Sequence, residues 1–572
     1  MVLKKLLLLF VVFFFVYAHP AFAGKGVNGF THEETIRLGE RMYRYGILPS
    51  GEPMKAIVMG DIPVKGTMFT CDDCHQRSGL GSEEGTIITW PANGKELYAP
   101  RRRDGAYKPP ETAGEKQNVR RQLPEYYQIP YERPAYTDQS LARVIRLGVD
   151  SAGNKLDRAM PKYPLNKKDM SILVYYLKHL SVEDGPGVDE TTLHFATVIT
   201  DEVPAKQQQA MLSVLQAHID ARNVQSRHER KRYQAGPFYK SQRHRSYRQL
   251  ALHKWVLSGP EKTWGAQLRQ YYQQQPVFAL LGGITTGSWD KIHQFSEENK
   301  IPCIFPVTEL PKISKSDWYT LYFSQGFYQE GKSAAKFLRS HLPKNNKTII
   351  TQIYFEQDKR GETIAKGFSE TWLGMGGRNI EERVLKTDEN ITATIREELL
   401  LEKKESVLLI WFDGTDQELF KGLLPYVQQD QIIFCSANLL RESIALIPEQ
   451  LRKYVYLTYP YSLPEDVATG RKAVDGWLNS RNIDLIDFQI QAKMYFLGWM
   501  LPGALKSMRS EFFREYFLER YDMMTDQDYA IPIYPRLTFG PGQRYASKGC
   551  YIVQLTGAQG ASLQPVSDWI IY

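Results

Sequence analysis

The chain has 572 residues, of which 42% are hydrophobic, 24% charged and 12% aromatic, with a formal charge of +8. It is too long for one hydrophobic core and calls for about two to four domains. Its ordinary balance of apolar and charged residues excludes a long disordered polypeptide.

The first segment reads as an export signal. Lys4 and Lys5 precede an apolar run of 11 residues, Leu6 to Val16, and Ala21-Phe22-Ala23 supplies a small-residue cleavage site. The run is short for a bilayer span, so removal after Ala23 is expected, with an uncleaved anchor as the alternative. No later stretch approaches 18 uncharged apolar residues. A periplasmic protein with no stable membrane span in its mature form is the expectation.

Residues 31–48 read as a helix, with Thr31 as its cap and Ile36, Leu38, Met42 and Tyr43 on one face. Residues 49–70, rich in Gly and Pro, read as a loop leading to Cys71-Asp72-Asp73-Cys74-His75. Residues 76–135 read as a long irregular insertion. Thr137 starts a helix that Gly148 ends. A loop with Met160-Pro161 follows, and Asn166 caps a helix reaching Leu180. Val182 to Gly187 reads as a linker.

From about residue 192 short apolar runs alternate with amphipathic stretches. The runs include Phe195–Ile199, Val277–Leu281, Cys303–Val307, Ile349–Tyr354, Val407–Phe412, Ile432–Ser436 and Val455–Leu457. Buried strands separated by helices predict parallel sheets, with ligands at the strands' carboxyl ends. About 380 residues exceed one such sheet, so two lobes are expected. The segment 226–256, dense in Arg, Lys and His, reads as an insertion.

The strongest chemical signal is Cys71-x-x-Cys74-His75. This pattern, in an exported protein, is the attachment motif of a c-type haem: two thiols add to two vinyl groups and the histidine nitrogen reaches the iron. A redox dithiol would want a strand before and a helix after. Zinc would want about four ligands, and no second cysteine pair exists. Met160, in a loop between two helices, is the expected second axial ligand. Met68, Met59 and His179 are the other candidates. A His/Met pair raises the haem potential. Cys303 and Cys435 lie in apolar strands and read as core thiols.

Residues 31–181 resemble the class I cytochrome c domains. Cys71–His75 matches their attachment motif, Arg158–Tyr163 their methionine loop, and Asn166–Leu180 their last helix. The departure is the length between His75 and Met160. Residues 192–572 resemble the type I periplasmic binding proteins, in particular the branched-chain amino-acid and amide receptors. Leu281–Ser288 and Phe305–Thr308 match their ligand-binding turns, Tyr322-Phe323 with Gln325 the entry to the next helix, and Thr538–Lys548 their C-terminal hairpin.

These resemblances imply an order of signal peptide 1–23, an all-α haem domain 24–184 with a long insertion, a linker 185–191, and a two-lobed α/β binding domain 192–572. They imply one covalent haem c on Cys71 and Cys74, with His75 and Met160 as axial ligands. They place Thr285, Thr286, Ser288 and Thr308 around a small polar ligand such as an amino acid or amide. Asp413 and Asn438 also follow strands. The expected function is one-electron transfer with a periplasmic redox partner, fused to a ligand-binding or docking module. An electron carrier is expected rather than a catalyst. The alternatives are a haem-dependent oxidoreductase acting in the cleft and a solute receptor for an ABC-type transporter. Arg101-Arg102-Arg103, Arg120-Arg121 and Arg227 to Arg232 could steer an acidic redox partner; nucleic acid is not expected.

Overall fold

The computed structural model describes residues 25–84, 87–101, 132–235, 248–343, 348–387, 389–400, 406–413, 419–428, 431–508, 511–524, 529–557 and 562–571. The export signal, Arg102, Arg103, Arg120 and Arg121 lie outside the described residues, as do the side chains of residues 228–232. The protein divides into two units, Met1–Glu183 and Asp184–Tyr572.

In the front unit, Thr31 accepts a hydrogen bond from the Glu34 amide and starts α1, His32–Tyr45. Gly46, at φ 63°, ends it. Tyr45 is exposed and Gly46 caps in the left-handed region, so the helix stops short of the expected residue 48. The segment 49–70 is not all loop. It holds an antiparallel hairpin, β1 (Lys55–Val58) with β2 (Ile62–Lys65), turning at Met59 and Gly60, both with positive φ. The front unit is therefore not purely helical, contrary to expectation. Alternating Ile57, Ile62 and Val64 around a glycine turn is the pattern that makes such a hairpin.

One helical turn, α2 (Cys71–His75), carries the cysteine motif; α3 (Gly94–Leu97) follows. Then come α4 (Asp138–Leu147), capped by Thr137 and Gly148, and α5 (Lys167–His179), capped by Asn166. Leu38, Met42 and Tyr43 of α1 pack with Ile172, Leu173 and Tyr176 of α5 in one core. The two helices touch at Gly39, where an added Cβ would lie 2.3 Å from the Tyr176 Cβ. A side chain there would force them apart.

Among the described residues the second unit contains two large sheets and a small antiparallel pair, Tyr529–Ile531 with Tyr534–Leu537. The first is built from β3 (Thr192–Thr200), β4 (Gln249–Leu257), β5 (Ala279–Leu281), β6 (Cys303–Ile304) and β7 (Thr320–Leu321), in the order β4-β3-β5-β6-β7, all parallel. Its helices include α6 (Ala205–Ala235), α7 (Trp264–Gln274) and α8 (Asp290–Glu298). The expected insertion 226–256 begins inside α6, which runs to Ala235, and its last quarter is not an insertion but β4. Leu250, Trp255 and Leu257 are buried there among charged neighbours, the half-polar face of an edge strand.

The backbone passes to the second sheet through α9 (Phe327–His341). This sheet has β8 (Ile349–Phe355), β9 (Ile380–Leu385), β10 (Ser406–Ile410), β11 (Ile432–Ser436) and β12 (Val455–Tyr459), parallel in the order β9-β8-β10-β11-β12. The helix α10 (Lys359–Gly374) packs against α9 where Gly331 approaches the Ile364 carbonyl. The backbone then returns to the first sheet's core with α11 (Phe488–Met508) and α12 (Arg514–Asp522). It goes back once more to add β13 (Gly549–Thr556) and β14 (Ser562–Pro565), antiparallel at the end of the second sheet. The C-terminal hairpin is thus 549–565, downstream of Thr538–Lys548. Among the described residues no helix is long and apolar enough to cross a membrane.

Candidate functional site

In the front unit, α2 is fixed at both ends. The Thr70 amide donates to Asp73 Oδ2 at 2.7 Å, and the Thr70 hydroxyl to Asp72 Oδ1 at 2.6 Å. Tyr43 Oη donates to the Gln76 carbonyl at 2.7 Å, Ser82 Oγ to the Cys74 carbonyl at 3.0 Å, and the Gly81 amide to the His75 carbonyl at 3.0 Å. The Cys71 thiol is half-buried and the Cys74 thiol exposed, one helical turn apart.

His75 Nδ1 lies 2.8 Å from the Trp90 carbonyl. A carbonyl only accepts, so Nδ1 carries the proton and Nε2 keeps its lone pair. Burial lowers the His75 pKa, against the pull of the Trp90 carbonyl, and keeps the ring neutral. Burial, reinforced by Asp72 and Asp73, pushes the Cys71 thiol up to about 12. Met68, Phe69 and Trp90, beside the motif, expose 66%, 41% and 38% of their surface. An oriented neutral imidazole, two thiols on one turn and uncovered apolar side chains fit a porphyrin attached at this edge.

Met160 closes a turn in which its amide donates to the Asp157 carbonyl at 3.1 Å, and it is half-buried. The turn is tied to the motif. Tyr163 Oη donates to the Phe69 carbonyl at 2.8 Å, and Lys162 pairs with Ile57 of β1 through both backbone groups. Met59 is 63% exposed on the neighbouring hairpin. His179 instead joins a ring cluster, 4.3 Å from Tyr175 and 5.3 Å from His32 between centroids. Among the described residues no group of three or more His, Cys, Asp or Glu is arranged to hold a bare metal ion.

In the second unit, the predicted hydroxyls serve their own turns. Thr285 Oγ1 accepts from the Gly287 amide at 3.1 Å and from Thr200 Oγ1 at 3.3 Å. Ser288 Oγ accepts from the Asp290 amide and Thr308 Oγ1 from the Leu310 amide. Each is a short side-chain-to-backbone turn. Thr286 is exposed. Asp413 lies 3.4 Å from Arg360, which also pairs with Asp358 at 2.8 Å.

What converges at the carboxyl ends of the strands is a different set. Glu309 follows β6, Asn438 follows β11, and Tyr461 follows β12. Tyr461 Oη lies 3.3 Å from Glu309 Oε1 and 3.2 Å from Asn438 Oδ1, spanning the two sheets. Lys493 of α11, 4% exposed, donates to Glu309 Oε1 at 3.1 Å. Burial works against the Lys493 charge, but Glu309 and Tyr534 outweigh it and raise its pKa. Glu330 of α9 is fully buried and accepts from Ser436 and Thr458 hydroxyls, each at 2.6 Å. Burial pushes its carboxyl up to about 8; the two hydroxyls pull it down, and Glu309 adds to the rise. Only Asn438 had a signal at the level of strand ends. Lys493 is the only charged residue in the largely apolar run Ile490 to Leu501, which is itself a sign of a buried charge needing a partner.

No protein-family model matches the chain, and no curated protein does. Solved structures do. A leucine-binding protein from Thermotoga maritima is 12% identical and has a TM-score of 0.43, over 65% of this chain and 97% of its own. A branched-chain amino-acid transporter substrate-binding protein from Streptococcus pneumoniae, in complex with isoleucine, is 13% identical with a TM-score of 0.41, over 66% of this chain and 100% of its own. A solute-binding protein of an ABC transporter from Rhodopseudomonas palustris, in complex with p-hydroxybenzoic acid, is 12% identical with a TM-score of 0.45, over 66% and 97%.

Proposed function

We propose that this protein is an exported solute receptor whose second unit holds a small polar ligand between its two sheets, and whose front unit carries one covalent haem c. The observation that carries the receptor reading is the meeting of strand ends from both parallel sheets at Tyr461. Ligands of open parallel sheets bind beyond the carboxyl ends of strands, where the order of strands reverses. Glu309, 23% exposed in its side chain, and the exposed Thr286 offer an acceptor and a donor on that side. Amino acids and amides are the ligand classes in view, and delivery to an ABC-type transporter is the role.

The haem reading is favoured by the hydrogen bond from His75 Nδ1 to the Trp90 carbonyl. It fixes the tautomer that a metal-binding histidine needs, with the lone pair on Nε2. Cys71 and Cys74 would hold the group through thioethers, and Met160 would complete the axial pair. When bound, the haem supplies a one-electron couple for a periplasmic redox partner. Tyr163 keeps the methionine turn against the motif.

The test has two arms. Full-length protein produced in a periplasm with haem-attachment machinery should gain the mass of one porphyrin and a low-spin spectrum. Colourless protein of unmodified mass would refute the haem reading. A thermal-shift screen with amino acids, amides and aromatic acids should raise the melting midpoint for one class, since binding to the native state stabilises it by mass action. Absence of any shift would refute the receptor reading.

A further inference from the structure

Tyr461 has one hydroxyl proton and two acceptors at nearly equal distance, Glu309 Oε1 and Asn438 Oδ1. A single O–H serves one of them well at a time. The first acceptor belongs to the loop after β6 and the second to the turn after β11, so the choice decides which sheet the hydroxyl grips.

Glu330 sets that choice. Its Oε2 is saturated by Ser436 and Thr458. Ser436 Oγ itself accepts from the Leu439 amide, so its proton goes to Glu330. Among the described residues Glu330 Oε1 is buried and makes no hydrogen bond, and the same is true of Asn438 Nδ2. The Asn438 amide still draws the Glu330 pKa down, which places the two side by side. An asparagine amide is a donor on one side and an acceptor on the other. Against an ionised Glu330 it turns Nδ2 toward Oε1, and its oxygen takes the Tyr461 proton. Against a protonated Glu330 the needs reverse. The carboxyl O–H requires an acceptor, Asn438 presents Oδ1, its Nδ2 faces Tyr461 Oη, and the tyrosine proton goes to Glu309.

We propose that Glu330, Asn438, Tyr461 and Glu309 form a hydrogen-bond relay in which protonation of Glu330 decides which sheet Tyr461 holds. The proton comes from solvent and stays on Glu330; Tyr461 only reorients its own. The groups facing Glu330 are few. Glu309 bears on it from the β6 loop, and Lys493 of α11 pairs with Glu309 at 3.1 Å. Tyr461 and Tyr534 adjoin Glu309 and Lys493, and the Cys550 thiol faces Glu330 from β13. On α10, Lys366 and Glu370 pair with each other on an exposed face.

Amide hydrogen exchange of the full-length protein, corrected for intrinsic rates, tests the relay. At about pH 6.5 the Glu309 loop, residues 306–310, should be protected, and by about pH 9.5 its protection should fall several-fold. Glu330→Gln keeps a donor and an acceptor and mimics the protonated acid. It should hold that loop protected at both pH values. Asn438→Ala leaves Glu330 able to titrate but severs its link, so protection should stop depending on pH. The relay is overturned if the wild-type loop does not change over this range, or if either variant keeps the wild-type pH dependence.

Discussion

His75 and Glu330 are both titratable groups set into the protein, one in each unit, and they meet opposite surroundings. His75 is held by one backbone carbonyl and has a second nitrogen to offer. Among the described residues Glu330 has no ion-pair partner, two hydroxyls on one oxygen and no hydrogen bond on the other. A group arranged to bind something is oriented by one partner and left open at another atom. A group arranged inside a core is enclosed, and its free energy goes into the stability of the fold. The difference separates the two sites by physics rather than by motif.

Four changes break or sharpen that contrast. Replacing Cys71 and Cys74 together by alanine should abolish porphyrin attachment altogether, read by intact mass, while the second unit's ligand-induced thermal shift stays unchanged. Glu330 should make the second unit's stability fall as pH rises. Its folded pKa, about 8, lies above the unfolded value of a glutamate, so the native state binds the extra proton between them. The Glu330 contribution to stability should therefore be full below about pH 4.5 and be lost as the pH rises to about 8, by on the order of 5 kcal/mol. Urea titrations of the wild type and Glu330→Gln across this range would show it as a wild-type-minus-variant difference in stability that falls as the pH rises.

Lys493→Ala should cost about 3 kcal/mol in the same assay, the low end for breaking a buried pair, because Glu309 retains some solvent. A much smaller cost would mean the ion pair is dispensable. The smallest effect is expected for Tyr163→Phe, which removes the hydroxyl that ties the Met160 turn to Phe69. It should cost about 1 kcal/mol in the front unit. It should also loosen the methionine turn, visible as faster exchange of amides 158–160.

Much of the architecture was legible. The caps Thr31, Thr137 and Asn166 and the stop Gly148 mark their helices from local chemistry alone, whereas the stop at Gly46 was missed. The parallel strands 349–355, 406–410, 432–436 and 455–459 follow from short apolar runs, which are legible because both faces are covered. Strands β4 and β9 were not. Edge positions leave one face in solvent, and Ile380-Glu381-Glu382-Arg383 carries the charges of an exposed edge. The hydroxyls of Thr285, Ser288 and Thr308 were legible as strand-end residues suited to a turn or a ligand, and only the structure decided for the turn.

By itself the sequence determined the things that depend on covalent neighbours. These are the pentapeptide from Cys71 to His75, the helix caps, and the alternation of buried strands with helices. Only the tertiary structure decided that the Trp90 carbonyl orients His75, 15 residues away. It alone brought Glu309 and Tyr461, 152 residues apart, to one hydroxyl proton, and gave Lys493 its carboxylate across 184. The reason is that hydrogen bonds and ion pairs act over about 3 Å in space, whatever the separation in sequence, and only folding sets which groups come that close.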